Sequence, residues 1–322
     1  MAIVTDDIEI AVKKLQNGEV VAFPTETVYG LGANAFSGRK VRKIFELKGR
    51  PLFNPLIVHI ASADYLDEIA TSVPAVAKKL ADLYWPGPLT LLLPKSRNIP
   101  DLVTAGMPTV AVRVPAHPVA KSLLEKLDFP LAAPSANKFT GISPTCAAHV
   151  AAAFSDQKLT ILDGGHCKKG IESTIIGFKN ETPILYRLGA IPIEDIEAIT
   201  GNVEIMNQNK GVKPAAPGMM KKHYAPRTPL VLIKNIDQLG KVKFGKNAGV
   251  ILFTDNVNVP AGFQCEILSR HADPEEACAN LYAALHRLDN AQLDFVFAEL
   301  LPETGLGVTI NDRLRRAASN IL

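Results

Sequence analysis

Residues 21–40 read VAFPTETVYGLGANAFSGRK, and this stretch determines how the first part of the chain folds. Its apolar run ends at Pro24, which has no backbone N–H to donate and therefore predicts that a central strand stops there. Thr25, Thr27, a glutamate and the glycines of YGLG come next, followed by a segment rich in lysine and arginine. The pattern predicts a buried strand, a small polar loop and then a basic helix.

The predicted loop has the chemistry of a ligand site. Proteins with α/β folds bind ligands at the ends of their strands, where the hydroxyls of Thr25 and Thr27 can orient a small polar molecule. The glycines of YGLG allow the backbone to approach such a molecule closely. The loop has neither the G-x-x-x-x-G-K-[ST] pattern of a P-loop nor the G-x-G-x-x-G pattern of a dinucleotide fold.

The composition indicates a globular cytoplasmic protein. A chain of 322 residues with 47% hydrophobic residues can form one large domain or two ordinary ones. A net charge of +3 is too small to indicate nucleic-acid binding by itself. The four cysteines form no C-x-x-C pair, which favours reduced thiols over disulfides or a cysteine zinc site. The sequence contains no apolar run of membrane-spanning length, and MAIVTDDIEI does not resemble a signal peptide.

The apolar runs predict a mixed α/β sheet whose faces are covered by helices. The predicted strands are EVVAF (19–23), PLIVHI (55–60), LTLLLP (89–94), TVAVRVP (109–115), PLAAPS (130–135), LTILDGG (159–165), STIIGF (173–178) and PILYRL (183–188). The predicted helices cover residues 7–16, 38–48, 73–84, 117–126 and 145–153. Between LTILDGG and PILYRL the strands leave no room for a helix, so part of the sheet should be antiparallel.

The pattern divides the chain into a first domain at 1–204, a linker at 205–228 and a small α/β domain at 229–322. The linker is rich in proline, glycine and basic residues, as exposed connections are. PLVLIK, AGVILF and LDFVFAEL then have the pattern of buried parallel strands. A helix should start after Asp273 as N-cap, with Pro274 at its first position. We expect a Rossmann-like arrangement in this second domain.

The basic helix and its end leave two interpretations open. Its first cations, which are Arg39, Lys40, Arg42 and Lys43, fit a solvated helix face. Lys48 and Arg50 close the helix within KGRPLFNPLIVHI, beside Asn54 and His59. They could cap the last helix carbonyls, or they could face a common point and bind a polyphosphate.

Further polar clusters follow other predicted strands, and each could also be ordinary turn or capping chemistry. Thr109 and Arg113 share one face of a strand, where a buried arginine needs an anion. The other members are Ser135, Asn137, Ser143, Glu172, Ser173, Thr174 and Arg187. Together they predict a site of hydroxyls, amides and arginines rather than of acids, thiols or paired histidines. No G-x-S-x-G or H-x-x-x-H pattern occurs, so positioning and charge stabilisation, as in nucleotidyl transfer, are favoured.

Seven motifs in order resemble the threonylcarbamoyl-AMP synthases, the YrdC-like proteins in their long two-domain form. They are FPTETVYGLGANA, KGRPLFNPLIVHI, WPGPLT, TVAVRVPAHP, APSAN with SPT, DGGHCKKGIESTII and PGMMKKHYAP. The resemblance implies a YrdC-like twisted mixed sheet around a concave basic cleft. It also implies that L-threonine, bicarbonate or CO2, and ATP give threonylcarbamoyl-AMP and pyrophosphate. A partner enzyme would then transfer the threonylcarbamoyl group to tRNA, which is not itself a direct substrate here.

The resemblance also implies roles for individual residues. Threonine-binding positions are Thr25, His59, Arg113, Ala133 and Ser173. Positions that bind ATP are Lys48, Arg50, Asn54, Thr109, Ser135, Asn137, Ser143, Arg187 and Tyr224. Lys48, Arg50 and Arg113 would stabilise charge in the reaction, and Tyr224 would fold over the nucleotide on a linker that acts as a lid. Mg²⁺ is expected to come with ATP, with no protein-ligated metal.

Two other functions fit parts of this pattern. A carbamoyltransferase with the same cleft would make carbamoyl-AMP from carbamoyl phosphate, but such proteins carry cysteine-rich zinc motifs in preceding modules. A non-catalytic module for double-stranded RNA would use the basic cleft directly. The small net charge and an aromatic content of 6% argue against this RNA-binding function.

Overall fold

The computed structural model describes residues 1–206, 216–218, 223–241, 247–255, 259 and 261–321. In this part of the chain, two sheets are flanked by helices. The strands of the first sheet are β1 (Ile3–Thr5), β2 (Val21–Phe23), β3 (Gly30–Asn34), β4 (Ile57–His59), β5 (Leu89–Pro94), β6 (Thr109–Arg113), β7 (Leu131–Ala133), β8 (Thr160–Leu162), β9 (Thr174–Lys179), β10 (Thr182–Arg187) and β11 (Glu204–Ile205). Its helices are α1 (Ile8–Gln16), α2 (Gly38–Lys48), α3 (Leu66–Ile69), α4 (Ala75–Tyr84), α5 (Asp101–Thr104), α6 (Pro118–Glu125), α7 (Ala147–Ala153) and α8 (Ile193–Thr200).

The first sheet has the strand order β1-β8-β2-β3-β7-β4-β6-β5-β9-β10-β11. Parallel pairs such as β4 with β6 alternate with antiparallel pairs such as β5 with β6 and β9 with β10. The prediction of a mixed sheet with antiparallel parts is therefore confirmed. The neighbouring strands β4, β6 and β7 end at His59, Arg113 and Ala133, and they bring three predicted site residues into one region.

The YGLG segment is a strand and not part of the loop, which corrects the interpretation of the opening stretch. Residues 30–34 form β3, which pairs antiparallel with β2 through Val21 and Gly32, and through Phe23 and Gly30. A Cβ at Gly32 would lie 2.8 Å from the Phe23 ring. Glycine is therefore needed here so that the Phe23 ring can pack flat on the neighbouring strand. The polar loop is accordingly confined to residues 24–29.

The helix α2 begins and ends as the sequence predicts. The Ser37 side chain accepts a hydrogen bond from the Lys40 backbone N–H, and Gly49 ends the helix in the left-handed region with φ 65°. Val41, Ile44 and Phe45 are buried against the sheet, which fixes the rotation of the helix about its axis. That rotation also buries Lys48 at the last turn.

The second sheet is entirely parallel, as predicted for its buried strands. Its strands are β12 (Leu230–Ile233), β13 (Ala248–Leu252), β14 (Phe263–Ile267), β15 (Phe295–Glu299) and β16 (Asn320–Ile321), in the order β14-β13-β15-β12-β16. Its helices are α9 (Pro274–Asn290) and α10 (Leu306–Ala317). Asp273 caps α9 and Pro274 is its first residue, as predicted.

A shared hydrophobic core joins the two sheets. Val28, Ile142 and Ile171 from the first half of the chain pack in one cluster with residues of α9 and α10, among them Leu281 and Ile310. Both helices are therefore held next to the loops at the end of the first sheet. Within the described residues, no helix has the length and apolarity needed to cross a membrane.

Candidate active site

A polar cavity with an empty volume of about 540 Å³ lies where the strands β4, β6, β7 and β10 end. Of the fourteen site residues predicted from the sequence, nine line it: Thr25, Arg50, His59, Arg113, Ala133, Ser135, Ser173, Arg187 and Tyr224. Of the other five, Lys48, Asn54, Asn137 and Ser143 lie behind or beside this wall, and Thr109 lies at the far end of β6. Most of the predicted cations and hydroxyls therefore share one cavity, even though they come from distant parts of the chain.

The loop after β2 is folded around the hydroxyl of Thr25. This hydroxyl donates to the Val28 carbonyl at 2.7 Å and lies 2.8 Å from the Thr27 hydroxyl. It also accepts from the backbone N–H groups of Thr27 and Val28, both at 3.2 Å. Thr25 thus organises the turn that its side chain lines, and the turn is rigid because every partner is local.

Arg113 ends β6 and is 2% exposed. One amino group forms an ion pair with Glu26, and the other donates to the Thr27 hydroxyl at 3.0 Å. Glu26 also accepts from the Ala116 backbone N–H at 3.1 Å, which holds the carboxylate in place. Within the described part of the chain the third donor, Nε of Arg113, is buried with no hydrogen-bond partner. An anion in the cavity would provide the acceptor that this donor lacks.

His59 ends β4 and lies against the same arginine. Burial and the charge of Arg113 lower the pKa of His59 to about 3, so the imidazole is neutral at physiological pH. Its ring stands edge-on to Phe23, with the centroids 5.6 Å apart. Nδ1 is buried and unpartnered among the described residues. A neutral imidazole in this place can accept or donate one hydrogen bond without adding charge.

Arg50 reaches the cavity from just beyond the end of α2, and Lys48 lies behind the same wall. Lys48 donates to the backbone carbonyls of Ser135, at 2.6 Å, and Asn137, and not to carbonyls of its own helix. Arg50 is held by the carbonyls of Asn54 at 3.2 Å and Pro55 at 2.8 Å. Burial, with the neighbouring charge of Arg50, lowers the pKa of Lys48 well below its usual value. Among the described residues, the hydrogen-bond acceptors of both cations are neutral carbonyls, an arrangement that a polyphosphate would complete.

Of three other predicted residues, Ser135 and Asn137 support this wall, whereas Thr109 lies further from it. The Ser135 hydroxyl donates to the Asn137 side chain, which in turn donates to the Lys138 and Gly141 carbonyls, both at 2.8 Å. Thr109 is at the start of β6, four residues from Arg113 on the same strand face. It pairs with Pro94 of β5, at the opposite end of the strand from the cavity.

On the opposite wall, Arg187 of β10 donates to both the carbonyl and the hydroxyl of Ser173, each at 2.9 Å from Nη2. The Ser173 hydroxyl also lies 2.7 Å from that of Thr90 in β5. A further bond from Arg187 reaches the Pro217 carbonyl in the linker at 3.2 Å. The wall therefore connects two strands of the sheet to the linker.

Tyr224 of the linker covers this wall and is 1% exposed. Its backbone is in the left-handed region with φ 63°, and its ring packs against His223 with the centroids 4.1 Å apart. Among the described residues its hydroxyl is buried without a hydrogen-bond partner. A side chain held in this strained conformation, with an unpaired donor facing a cavity, is suited to contact a ligand.

The structure corrects the expectation of a site without acids. Glu26 neutralises Arg113, and Glu172 lines the cavity on the Ser173 side. Burial alone would raise the pKa of Glu172, but Arg313, Arg187 and the Ser143 hydroxyl outweigh it and hold the pKa at about 2. Glu26 could have been found, because a buried arginine predicts a nearby anion and this glutamate is in the opening motif. Arg313 gives no comparable signal, because it stands among several arginines near the end of the chain.

The carboxylates present do not form a metal site. Glu26 and Glu172 are both engaged by arginines. In the ranges that the structure describes, His, Cys, Asp and Glu side chains form no group of three that could hold a metal ion. A divalent cation would therefore have to be held mainly by its ligand and by water.

Comparisons with known proteins agree on one family. A family model described as "Telomere recombination", for the Sua5, YciO and YrdC proteins, matches residues 13–189. A second model, for the C-terminal domain of threonylcarbamoyl-AMP synthase, matches residues 191–319. The chain is 43% identical to the threonylcarbamoyl-AMP synthase of Pyrococcus abyssi, over 97% of this chain and 94% of that protein. It is 42% identical to that of Bacillus subtilis, over 98% and 94%.

The fold is also similar to a solved structure. The crystal structure of P. abyssi Sua5 complexed with L-threonine superposes with a TM-score of 0.90 and 39% sequence identity. The match covers 100% of this chain and 99% of that chain, so both sheets correspond.

Proposed function

The chain belongs to the threonylcarbamoyl-AMP synthase family, and from this premise we propose that its cavity joins L-threonine, bicarbonate or CO2, and ATP to give threonylcarbamoyl-AMP and pyrophosphate. The observation that carries the proposal is the shared cavity of Thr25, Arg50 and Arg113, with His59 and Ser173 between them. Its described lining offers cations, hydroxyls, a neutral imidazole and the arginine-paired carboxylate of Glu172, with no activated nucleophile among them. Such a site acts by positioning and by charge stabilisation.

The two substrates lie side by side in the cavity in this proposal. L-Threonine lies among the residues Thr25, His59, Arg113, Ala133 and Ser173. Its carboxylate accepts a hydrogen bond from Nε of Arg113, which has no partner among the described residues. ATP lies along the wall that carries Arg50, Ser135 and Arg187. The residues behind this wall, namely Lys48, Asn54, Asn137 and Ser143, hold its side chains and carbonyls in place.

The reaction is a carboxylation followed by nucleotidyl transfer. The threonine amine attacks CO2 and loses a proton, which forms an N-carboxylate. This carboxylate attacks the α-phosphorus of ATP in line, and pyrophosphate leaves. Negative charge accumulates on the phosphoryl oxygens, where Arg50, Lys48 and Arg187 lower its energy. We expect Mg²⁺ to come with ATP, where it would add positive charge beside the phosphates; the described residues include no group of three His, Cys, Asp or Glu side chains that would hold it.

The threonylcarbamoyl group has to be passed on, because an acyl adenylate hydrolyses in water. We propose that a separate enzyme transfers it to tRNA, and that tRNA does not enter this cavity. The cavity has a volume of about 540 Å³, a size that suits small molecules and disfavours the RNA-binding alternative. The four cysteines are free thiols, as is usual in the cytoplasm, where we place the reaction.

The test incubates the purified chain with ATP, Mg²⁺, bicarbonate and one amino acid at a time. Pyrophosphate release and the mass of the adenylate are measured. We expect a threonylcarbamoyl-AMP product that requires both threonine and bicarbonate. Serine should react more slowly by about 10- to 200-fold, the usual effect of one missing methyl contact. A product that forms from carbamoyl phosphate without an amino acid would instead favour the carbamoyltransferase.

A further inference from the structure

The buried carboxylate of Glu172 is held by side chains from both halves of the chain. The Ser143 hydroxyl donates to Oε1 at 2.7 Å. The Tyr282 hydroxyl, from α9, donates to Oε2 at 2.8 Å, and Nε of Arg313, from α10, donates to the same oxygen at 2.8 Å. Two of these three donors therefore belong to the second half, although Glu172 itself lines the cavity.

Arg313 is 1% exposed, and each part of its guanidinium has a separate contact. Besides Glu172, it pairs with Asp312 through Nη1 at 2.5 Å and donates to the Leu188 carbonyl through Nη2 at 2.6 Å. Its guanidinium carbon lies 5.0 Å from the centroid of the Tyr224 ring, a cation–π distance. Arg313 thus connects α10 to the cavity wall, to the residue after Arg187 and to Tyr224.

Tyr282 holds Tyr224 by a second contact. The two rings are stacked, with centroids 5.7 Å apart and an interplanar angle of 29°. Tyr224 is therefore fixed by residues of α9 and α10, while its hydroxyl stays unpartnered within the described part of the chain. Glu172, which accepts hydrogen bonds from both Tyr282 and Arg313, is next in the chain to Ser173. Arg187 in turn donates a hydrogen bond to the Ser173 hydroxyl.

We propose that Arg313 and Tyr282 are positioning residues of the active site, which fix Tyr224 and the Ser173–Arg187 wall from outside the cavity. The second half of the chain is thereby part of the nucleotide-binding wall and not merely an anchor for the linker. The inference rests on the proposed function, because it assumes that ATP lies along this wall. It predicts that substitutions in α10 change the affinity for ATP, although residues of α10 do not contact ATP.

The matched control is Arg315, which lies on the same helix two residues from Arg313. Its side chain is exposed and, among the described residues, forms an ion pair with Glu303 on the surface. Arg315→Met removes the same charge and a similar volume from α10, but it leaves Glu172 and Tyr224 as they are. Tyr282→Phe is a milder probe, because it removes the bond to Glu172 and keeps the ring that stacks on Tyr224.

The experiment measures ATP binding by calorimetry and the rate of pyrophosphate release with the full chain, at a temperature where circular dichroism shows every variant folded. We expect Arg313→Met to weaken ATP binding and to raise the KM for ATP by roughly tenfold or more, and Tyr282→Phe to shift both by roughly threefold. Arg315→Met should match the wild-type chain. Arg313→Lys, which restores the charge, should recover part of the loss.

Two results would overturn the inference. One is a folded Arg313→Met variant that binds ATP within about twofold of the wild-type chain, because an arginine with only a structural role lowers stability and leaves the affinity for ATP unchanged. If Arg313→Met does not fold, Tyr282→Phe decides, and an unchanged KM for ATP is then the contrary result. Failure of the wild-type chain to bind ATP would instead overturn the proposed function and this inference with it.

Discussion

Residues at the ends of the strands of the first sheet line the cavity. The second half of the chain instead contributes side chains of the helices α9 and α10, which contact the residues of the cavity wall. His59, Arg113 and Arg187 are last residues of β4, β6 and β10. In the described part of the second half, by contrast, no strand residue of the parallel sheet lines the cavity. Parallel sheets usually bind ligands at the carboxyl ends of their strands.

The two halves of the chain therefore have different roles in the site, one direct and one indirect. Residues of the first sheet face the substrates, while Tyr282 and Arg313 of the second half act on Tyr224 and Glu172. The topology of the second sheet therefore does not predict its function, which depends on how its helices pack against the first sheet. Each half also has one buried arginine in an ion pair with a glutamate of the first half, so the two arginines can be compared by substitution.

The largest effect is expected from Arg113→Met in the first half. It removes the cation that faces the threonine carboxylate, and kcat/KM for pyrophosphate release should fall by about 100- to 1,000-fold. It also leaves Glu26 buried without its partner, which should lower the free energy of unfolding by about 3–5 kcal/mol. The two effects are measured by steady-state kinetics and by urea unfolding.

A double variant separates catalysis from stability at this pair. Glu26→Gln combined with Arg113→Met removes both charges, and it should regain much of the lost stability. Activity should not return, since the cation that binds the substrate is still missing. If the double variant regains activity together with stability, Arg113 has only a structural role, and the distinction between the two halves fails.

Much of this first-half geometry could be predicted from the sequence, because its signals are local. The apolar runs gave most of the strands and helices, and polar residues at strand ends gave the site. The strand β3 was missed because the glycines that permit it to pair with β2 are typical of turns in an isolated sequence. Glycine is needed at position 32 because of the Phe23 ring on the neighbouring strand, which is a tertiary contact.

The contacts of the second half could not be predicted in this way. Arg313 and Tyr282 are 141 and 110 residues from Glu172 along the chain. Each also lies in an amphipathic helix, where an arginine usually points to solvent and a tyrosine belongs to the core. Only the packing of α9 and α10 against the first sheet brings these residues to the cavity wall.

A smaller effect is expected from Tyr224→Phe, which tests the point where the two halves meet. The ring and its contacts with Tyr282 and Arg313 are kept, so the melting temperature should stay within about 2 °C of the wild-type value. The hydroxyl is lost, and with it one bond to the nucleotide. The KM for ATP should therefore rise by about 2- to 13-fold, equivalent to roughly 0.5–1.5 kcal/mol. A lower melting temperature with an unchanged KM would assign Tyr224 to the core alone.

The smallest effect concerns pH and the stacked rings of His149 in α7 and His286 in α9, whose centroids are 3.9 Å apart. Burial and the neighbouring His286 lower the pKa of His149 to about 3. The unfolded chain therefore binds a proton near pH 6.5 that the folded chain does not, and stability is lost as the pH falls below 6.5. His149→Phe keeps a stacked ring and removes this proton, so its stability should decrease less on acidification.

The difference is measured as the slope of the free energy of urea unfolding between about pH 7.5 and about pH 5, above the range in which Glu172 titrates. Because His149 is only partly buried, solvent screening limits the expected change to about 1 kcal/mol across this range. His271→Phe, at an exposed position of the second half, is the control for replacing a histidine by phenylalanine. The pKa values of His59 and His223 are also lowered in the folded chain, so these two histidines add to the loss of stability at low pH. His149→Phe should therefore make the slope shallower without abolishing it. Equal slopes for His149→Phe and the wild-type chain would show that acid lowers stability by protonating the histidines of the cavity, and not by protonating the contact between the halves.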